Sequence, residues 1–265
     1  MRVGYYQFRP LFGKVARNLL KVVNALTSAE ADLIVLPELP FTGYNFRDRA
    51  EVLALAEDPT QSPIVDSLAA VCRHRGLHIV TGFTEKRRDK CFNSALLIGP
   101  EGLLHVYRKL HAFNEEKHWF DEGDIPLRVN TVRGCRIGIM ICFDWVFPEV
   151  ARTLALEGAE VLCQPSNLVL THCQAAMVTR CIENNVFAIT ANRYGADKRP
   201  HGEIKFTGKS QIAGPRGKVL HRGPGQRDDL FVMQIDPTEA HDKFLTPHND
   251  VLADRRPEFY SALLR

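Results

Sequence analysis

Short apolar runs of strand length alternate with helix-length segments along almost the whole chain, and that alternation leaves few architectures open. Strands are expected at 2–8, 32–37, 78–85, 93–99, 103–108, 135–141, 160–165, 186–192, 209–214, 218–222 and 229–236. Helical periodicity marks GKVARNLLKVVNALTSAE (13–30), where Val15, Leu19, Val22 and Leu26 recur every three or four residues and build one apolar face. Similar patterns predict helices over 63–75, 148–158 and 173–185. Tight turns such as GPEG (99–102) and GPRG (214–217) join some strands, while helix-length segments separate others. The mixture predicts sheets with helices packed outside, a layered α/β sandwich. With 265 residues, 45% of them hydrophobic, and no repeat, low-complexity tract or linker, the chain is expected to form one domain over 1–265.

Charge and cysteine usage narrow the function classes. Lys and Arg number 34 against 31 Asp and Glu, a formal charge of +3, and the basic residues are scattered. Nucleic acid is therefore not an expected partner. No apolar run approaches the roughly 18 residues that cross a bilayer, and MRVGYYQF lacks the apolar core of a leader, so a cytoplasmic protein without a membrane partner is expected. The seven cysteines are odd in number and lie mostly inside apolar segments. They are expected to be small buried hydrophobes, not a disulfide framework.

One cysteine stands apart by position. CRIGIMI (135–141) is a continuous apolar run of the kind covered on both faces, and FPEVARTLALEGAE reads as a helix with Pro148 in its first turn. Cys142 therefore falls where a buried strand ends, the place where open α/β folds assemble their chemistry. Two other apolar strands end in the same manner: 32–37 is followed by Glu38, and 103–108 by Lys109. A thiol, a carboxylate and an ammonium form a chemically complete set. The carboxylate can take a proton from Cys and later from water, and the ammonium can stabilise an oxyanion.

On the segments RVGYYQF, LPELPFTGY, YRKLHAF, EKHWFDEGD, GIMICFDWVFPE, ANRYG and GKSQIAGPRGKVL, the chain resembles the nitrilase superfamily of carbon–nitrogen hydrolases over essentially its whole length. The resemblance implies a four-layer α-β-β-α sandwich. It places the family's glutamate base on Glu38, its lysine on Lys109, its nucleophile on Cys142 and its second glutamate on Glu116, with Glu115 the adjacent alternative. It implies hydrolysis of a small amide through a cysteine thioester, without a metal or organic cofactor. A homodimer or higher homo-oligomer follows from the same resemblance, with 148–158, 173–185 and a C-terminal arm (245–265) at the interface.

Substrate preference is read from the residues after the nucleophile. Related enzymes for carboxylated substrates place an arginine close after the cysteine, since a planar fork suits a carboxylate; Phe143, Asp144, Trp145 and Val146 include none. CFD in place of the CWE of many nitrilases points to an amidase, and Trp145 to an apolar wall. Nitriles and N-carbamoyl compounds remain alternatives. Tyr44, His118, Trp119, Asn167 and His172 complete the candidate substrate contacts, with Phe143. HAFNEEKH (111–118) lacks zinc spacing and reads as a polar loop, and GPGQRDDL (223–230) as a turn. RDRAE and EKRRDK read as solvated faces. A glutamine amidotransferase elbow would flank the cysteine with glycine, where this chain has Ile141 and Phe143. A catalytically silent binding protein is disfavoured by the intact Glu38, Lys109 and Cys142.

Overall fold

Two mixed six-stranded sheets, packed face to face, organise the computed structural model, which describes residues 1–264. In the first sheet the order is β14 (Asp229–Gln234), β1 (Arg2–Gln7), β2 (Leu33–Val35), β3 (His78–Arg87), β4 (Lys90–Gly99) and β5 (Gly102–Arg108). Strands β1, β2 and β3 are parallel, β4 opposes β3, and β5 opposes β4, so β2, β3 and β5 all finish at one rim. The second sheet orders β13 (Val219–Arg222), β12 (Gln211–Ala213), β9 (Phe187–Ala191), β8 (Val161–Pro165), β7 (Cys135–Ile139) and β6 (Val129–Val132). Its three central strands, β7, β8 and β9, are parallel. Every residue of β2, β8 and β9 is buried, which is why their sequences are mostly apolar; the buried polar residues among them, Gln164 and Thr190, pair with each other at 2.8 Å.

The alternation of side chains along each strand builds four layers. Val3, Tyr5, Leu33, Val35, Val80 and Leu97 face inward and meet Ile137, Ile139, Val161 and Ile189 of the second sheet. The residues between them point outward: Ile34, Ile79, Leu96 and Ile98 pack under α1 (Val15–Leu26) and α3 (Pro63–Arg75). On the far side α5 (Pro148–Leu156) and α6 (Cys173–Asn184) bury Val150, Leu154, Met177 and Cys181 against the second sheet. This is the expected α-β-β-α sandwich. Helix α3 carries its own boundary signals: the Ser62 hydroxyl accepts from the Ile64 and Val65 N–H groups, Pro63 opens it, and Gly76 closes it in the left-handed region.

Several elements depart from the sequence reading. Helix α1 covers Val15–Leu26, four residues short of the expected end. The segment RDRAE (47–51) leads into α2 (Arg49–Leu55), whose N-cap Asp48 accepts from the Glu51 N–H at 2.9 Å. Strand β6 and the hairpin β10 (Tyr194–Arg199) with β11 (Gly202–Thr207) were not anticipated, because the hairpin exposes much of its surface and interrupts the apolar alternation with charge. After β14 the chain crosses its own α5 and α6. Lys243 Nζ donates to the Asn184 and Asn185 carbonyls at 2.9 Å, and Arg152 to the Val251 carbonyl at 3.1 Å. The ribbon of β15 (Phe244–Thr246) and β16 (Asn249–Asp250) opens the expected 245–265 arm. Phe259, Leu263 and Leu264 further along it are exposed, and its last residue, Arg265, lies outside the described residues.

Candidate active site

Three strand ends meet at the shared rim of the two sheets. Glu38 follows β2 in a turn whose next residue, Leu39, has φ +45°, and its N–H donates across to the Ser166 carbonyl beyond β8. The turn lies directly on β3 at Gly82, where a Cβ would come within 2.4 Å of the Leu39 nitrogen and 2.6 Å of the Glu38 Cα. Only glycine allows that approach. Lys109 immediately follows β5; its N–H donates to the Asn93 carbonyl of β4 at 2.9 Å and its carbonyl accepts from Gly123. Cys142 lies three residues past β7 and opens a 3₁₀ turn (Cys142–Val146), where a helix start was expected to follow at once. Its φ of +40° is unusual for a residue with a Cβ, a strain found where a side chain must be presented from a tight turn.

That turn is clamped from three directions. The Asp144 carboxylate accepts from the Ile141 N–H at 2.8 Å, from the Tyr107 hydroxyl at 2.7 Å, and pairs with His111 Nδ1 at 2.8 Å. Gln164 Nε2 donates to the Cys142 carbonyl at 3.0 Å while its Oε1 accepts from the Thr190 hydroxyl. His111 also stacks on Phe147, with ring centroids 3.6 Å apart. The thiol is thus held by both sheets and by the loop that carries Lys109.

The side chains form one buried charge cluster. Lys109 Nζ donates to Glu38 Oε1 at 2.6 Å and to both oxygens of Glu116, at 2.9 and 2.8 Å, which uses all three of its donors. Glu38 is fully buried, Glu116 is 1% exposed and Lys109 4%. Glu116 opens the short helix α4 (Glu116–Trp119), whereas Glu115 is exposed. The Tyr44 hydroxyl donates to Glu116 Oε1 at 2.6 Å. Burial alone would lower the Lys109 pKa, but the Glu116 and Glu38 carboxylates outweigh it and hold the ammonium above its ordinary range. Burial pushes Glu38 up, against the pull of Lys109 and the Asn93 amide. It also pushes the Cys142 thiol well up, reinforced by Glu38, with Lys109 and the Asn167 N–H acting the other way. Burial thus favours the neutral thiol over the thiolate.

A small pocket opens on Cys142. Phe113, Phe143, Trp145, Leu168, Val169 and Leu170 form its apolar wall, and Asn167 is its polar member. About 10 Å³ remains free, the room of about one water molecule. Asn167 is 3% exposed, yet neither its Nδ2 nor its Oδ1 has a protein partner. Of the expected contacts, the fold brings Tyr44, Phe143, Trp145 and Asn167 to the cluster or its pocket. His118 and His172 are exposed, and Trp119 packs edge-on against Tyr44 and Phe46. Asn93, Gln164 and the 168–170 wall have no place in the sequence reading, and Asp144 enters it only as part of the CFD stretch, without its role as the clamp of the turn. The wall had a signal: it continues from β8, the neighbour of β7, so its loop must emerge at the same rim. No group of three or more His, Cys, Asp or Glu side chains among the described residues is placed to hold a metal ion. No helix there is long and apolar enough to cross a membrane.

Known proteins share this arrangement of the chain. The carbon–nitrogen hydrolase family model matches residues 2–242. A nitrilase of Pyrococcus abyssi is 40% identical over 263 residues, spanning 98% of this chain and 99% of the relative. An (R)-stereoselective amidase of a Pseudomonas species is 32% identical, spanning 97% and 92%. A carbon–nitrogen hydrolase from Helicobacter pylori G27 superposes with a TM-score of 0.91 at 24% identity, covering 100% of this chain and 98% of that one. An amidase from Nesterenkonia sp. AN1 reaches 0.83 at 25% identity, covering 99% of both. Family match, relatives and fold agree, and the chain belongs to the carbon–nitrogen hydrolases of the nitrilase superfamily.

Proposed function

We propose that this carbon–nitrogen hydrolase cleaves small neutral amides through a thioester on Cys142, with Glu38 as base and Lys109 as oxyanion partner. Glu38 takes the Cys142 proton as sulfur attacks the amide carbon. Lys109 redirects one N–H from Glu116 toward the developing oxyanion, joined by the Phe143 N–H. Glu38 passes its proton to the leaving nitrogen, ammonia departs, and a thioester remains. Water then gives a proton to Glu38 as it attacks the thioester, and that proton returns to sulfur as the carboxylic acid leaves. Glu116, held by Tyr44, keeps the ammonium in place throughout.

Asn167 is the observation that carries the choice of amide. Its side-chain NH2 donor and carbonyl acceptor are both buried without a protein partner in the pocket of Cys142. A carboxamide presents the matching acceptor and donor, whereas a nitrile presents an acceptor alone and would leave Oδ1 unpaired. No lining residue is cationic, which disfavours a carboxylated substrate, and the narrow free space favours a short acyl group. The nitrile reading is supported by the 40% identical relative, a nitrilase. Rates for an amide and a nitrile with the same short acyl chain decide between them. The wild type is expected to prefer the amide in kcat/KM, and Asn167→Leu to lose about ten-fold on the amide and less on the nitrile. A wild type that prefers the nitrile would overturn this reading.

Self-association belongs to the same proposal. Leu156 and Ile182, on α5 and α6, are exposed together with the apolar end of the C-terminal arm, and a chain ending at residue 244 is expected to sediment as a smaller species than the full chain.

A further inference from the structure

We propose that Asn93 is a positioning residue that gives the two oxygens of Glu38 separate tasks, holding Oε1 so that Oε2 is left to move the proton. The inference rests on Glu38 being the base, as proposed above. Asn93 sits on β4 between the strands that deliver Glu38 and Lys109. Its Nδ2 donates to Glu38 Oε1 at 2.7 Å, the same oxygen that receives Lys109 Nζ at 2.6 Å. Its next acceptor, Glu116 Oε2, is at 3.5 Å. Glu38 Oε2 is buried and has no protein partner.

A carboxylate free to rotate would offer either oxygen to the lysine and either to the thiol. Two donors on one oxygen remove that freedom, because rotation would break both contacts at once. The amide also favours the charged carboxylate against the burial that opposes it. Asn93 reaches the lysine by a second route: its main-chain carbonyl accepts the Lys109 N–H at 2.9 Å. One residue therefore sets the base and the cation relative to each other, and a substitution removes the first contact while leaving the second.

The test uses Asn93→Leu, of similar volume but unable to donate, with Asn93→Ser as the variant that demands less repacking should the first fail to fold. Two pH profiles are measured on the full chain: kcat/KM for the best amide, and alkylation of Cys142 by iodoacetamide followed by peptide mass. Losing the amide donor raises the Glu38 pKa, so the acid limb of both profiles should move to higher pH. We expect kcat to fall about ten-fold or more with KM changed less than two-fold. An acid limb that stays in place overturns the proposal, even where overall activity drops, because a purely structural role lowers rate without moving the limb. Glu38→Gln separates the two levels. If it is inactive and the Asn93 limb stays put, only this inference falls; if it retains wild-type turnover, the assignment of Glu38 falls and this inference with it.

Discussion

Arg108 and Lys109 are consecutive in the chain, and each brings a buried cation to a buried glutamate. Arg108 grips Glu85 with both its Nε and an Nη, and reaches Asp124 with the other Nη. The remaining capacity of Glu85 is met by the Ser94 hydroxyl at 2.6 Å, and Phe92 lies against the guanidinium. Every buried oxygen of that network has a partner. One residue later, the Lys109 cluster is drier, because Asp124 of the Arg108 network is half exposed while Lys109, Glu38 and Glu116 are all buried, and it is incomplete: Glu38 Oε2 and both polar side-chain atoms of nearby Asn167 lack protein partners. A satisfied buried ion pair holds a fold in register; an unsatisfied one beside a thiol has capacity left for substrate and for proton transfer. Under the proposed function, the two clusters at one strand end serve different purposes, and the difference lies in what is left unpaired.

Substitution of one carboxylate in each cluster should separate these purposes. Glu38→Gln is expected to lower kcat by about 10² to 10⁴, the usual worth of a general base, with a melting temperature close to wild type, because Lys109 keeps both oxygens of Glu116 and the remaining side-chain oxygen at position 38 can still accept from Lys109 and Asn93. Measurable loss of stability with activity retained would invert the assignment of the two clusters. Glu85→Gln should do the opposite: it leaves the half-exposed Asp124 as the one carboxylate on buried Arg108 and is expected to cost about 3 kcal/mol in denaturant unfolding, while the pH profile of the folded fraction stays where it was. A shift of that profile would show that the two clusters act as one.

Much of this layout is legible in the sequence, and the illegible part has a common cause. The buried strands β2 and β7 announce themselves as apolar runs, and the half-buried edge strand β5 still reads as a strand through LLHVYR, so the ends that carry Glu38, Cys142 and Lys109 can be read without a structure. Asn93 cannot be read in that way. It lies inside a strand, and its side chain reaches Glu38 only through the register of β4 beside β3, which depends on pairing Thr84 with Asn93. Tyr44 is visible as an aromatic near Glu38, but its position depends on the Asp197 carboxylate, which accepts its N–H at 3.2 Å from a hairpin 153 residues away. His118, Trp119 and His172 were attractive because of their residue types and their nearness to the motifs in sequence. A one-turn helix turns His118 outward, and His172 precedes α6 at the surface. Local sequence sets where strands end, while partners across the sheets decide which side chains reach the site.

Ammonia release from a panel of short aliphatic and aromatic amides, N-carbamoyl compounds and nitriles, measured for the wild type beside Cys142→Ala, tests the central claim most directly. The account predicts release from neutral amides by the wild type and none above background from Cys142→Ala, with both proteins folded by circular dichroism. Turnover by Cys142→Ala at the wild-type rate would contradict the assignment of this thiol as nucleophile.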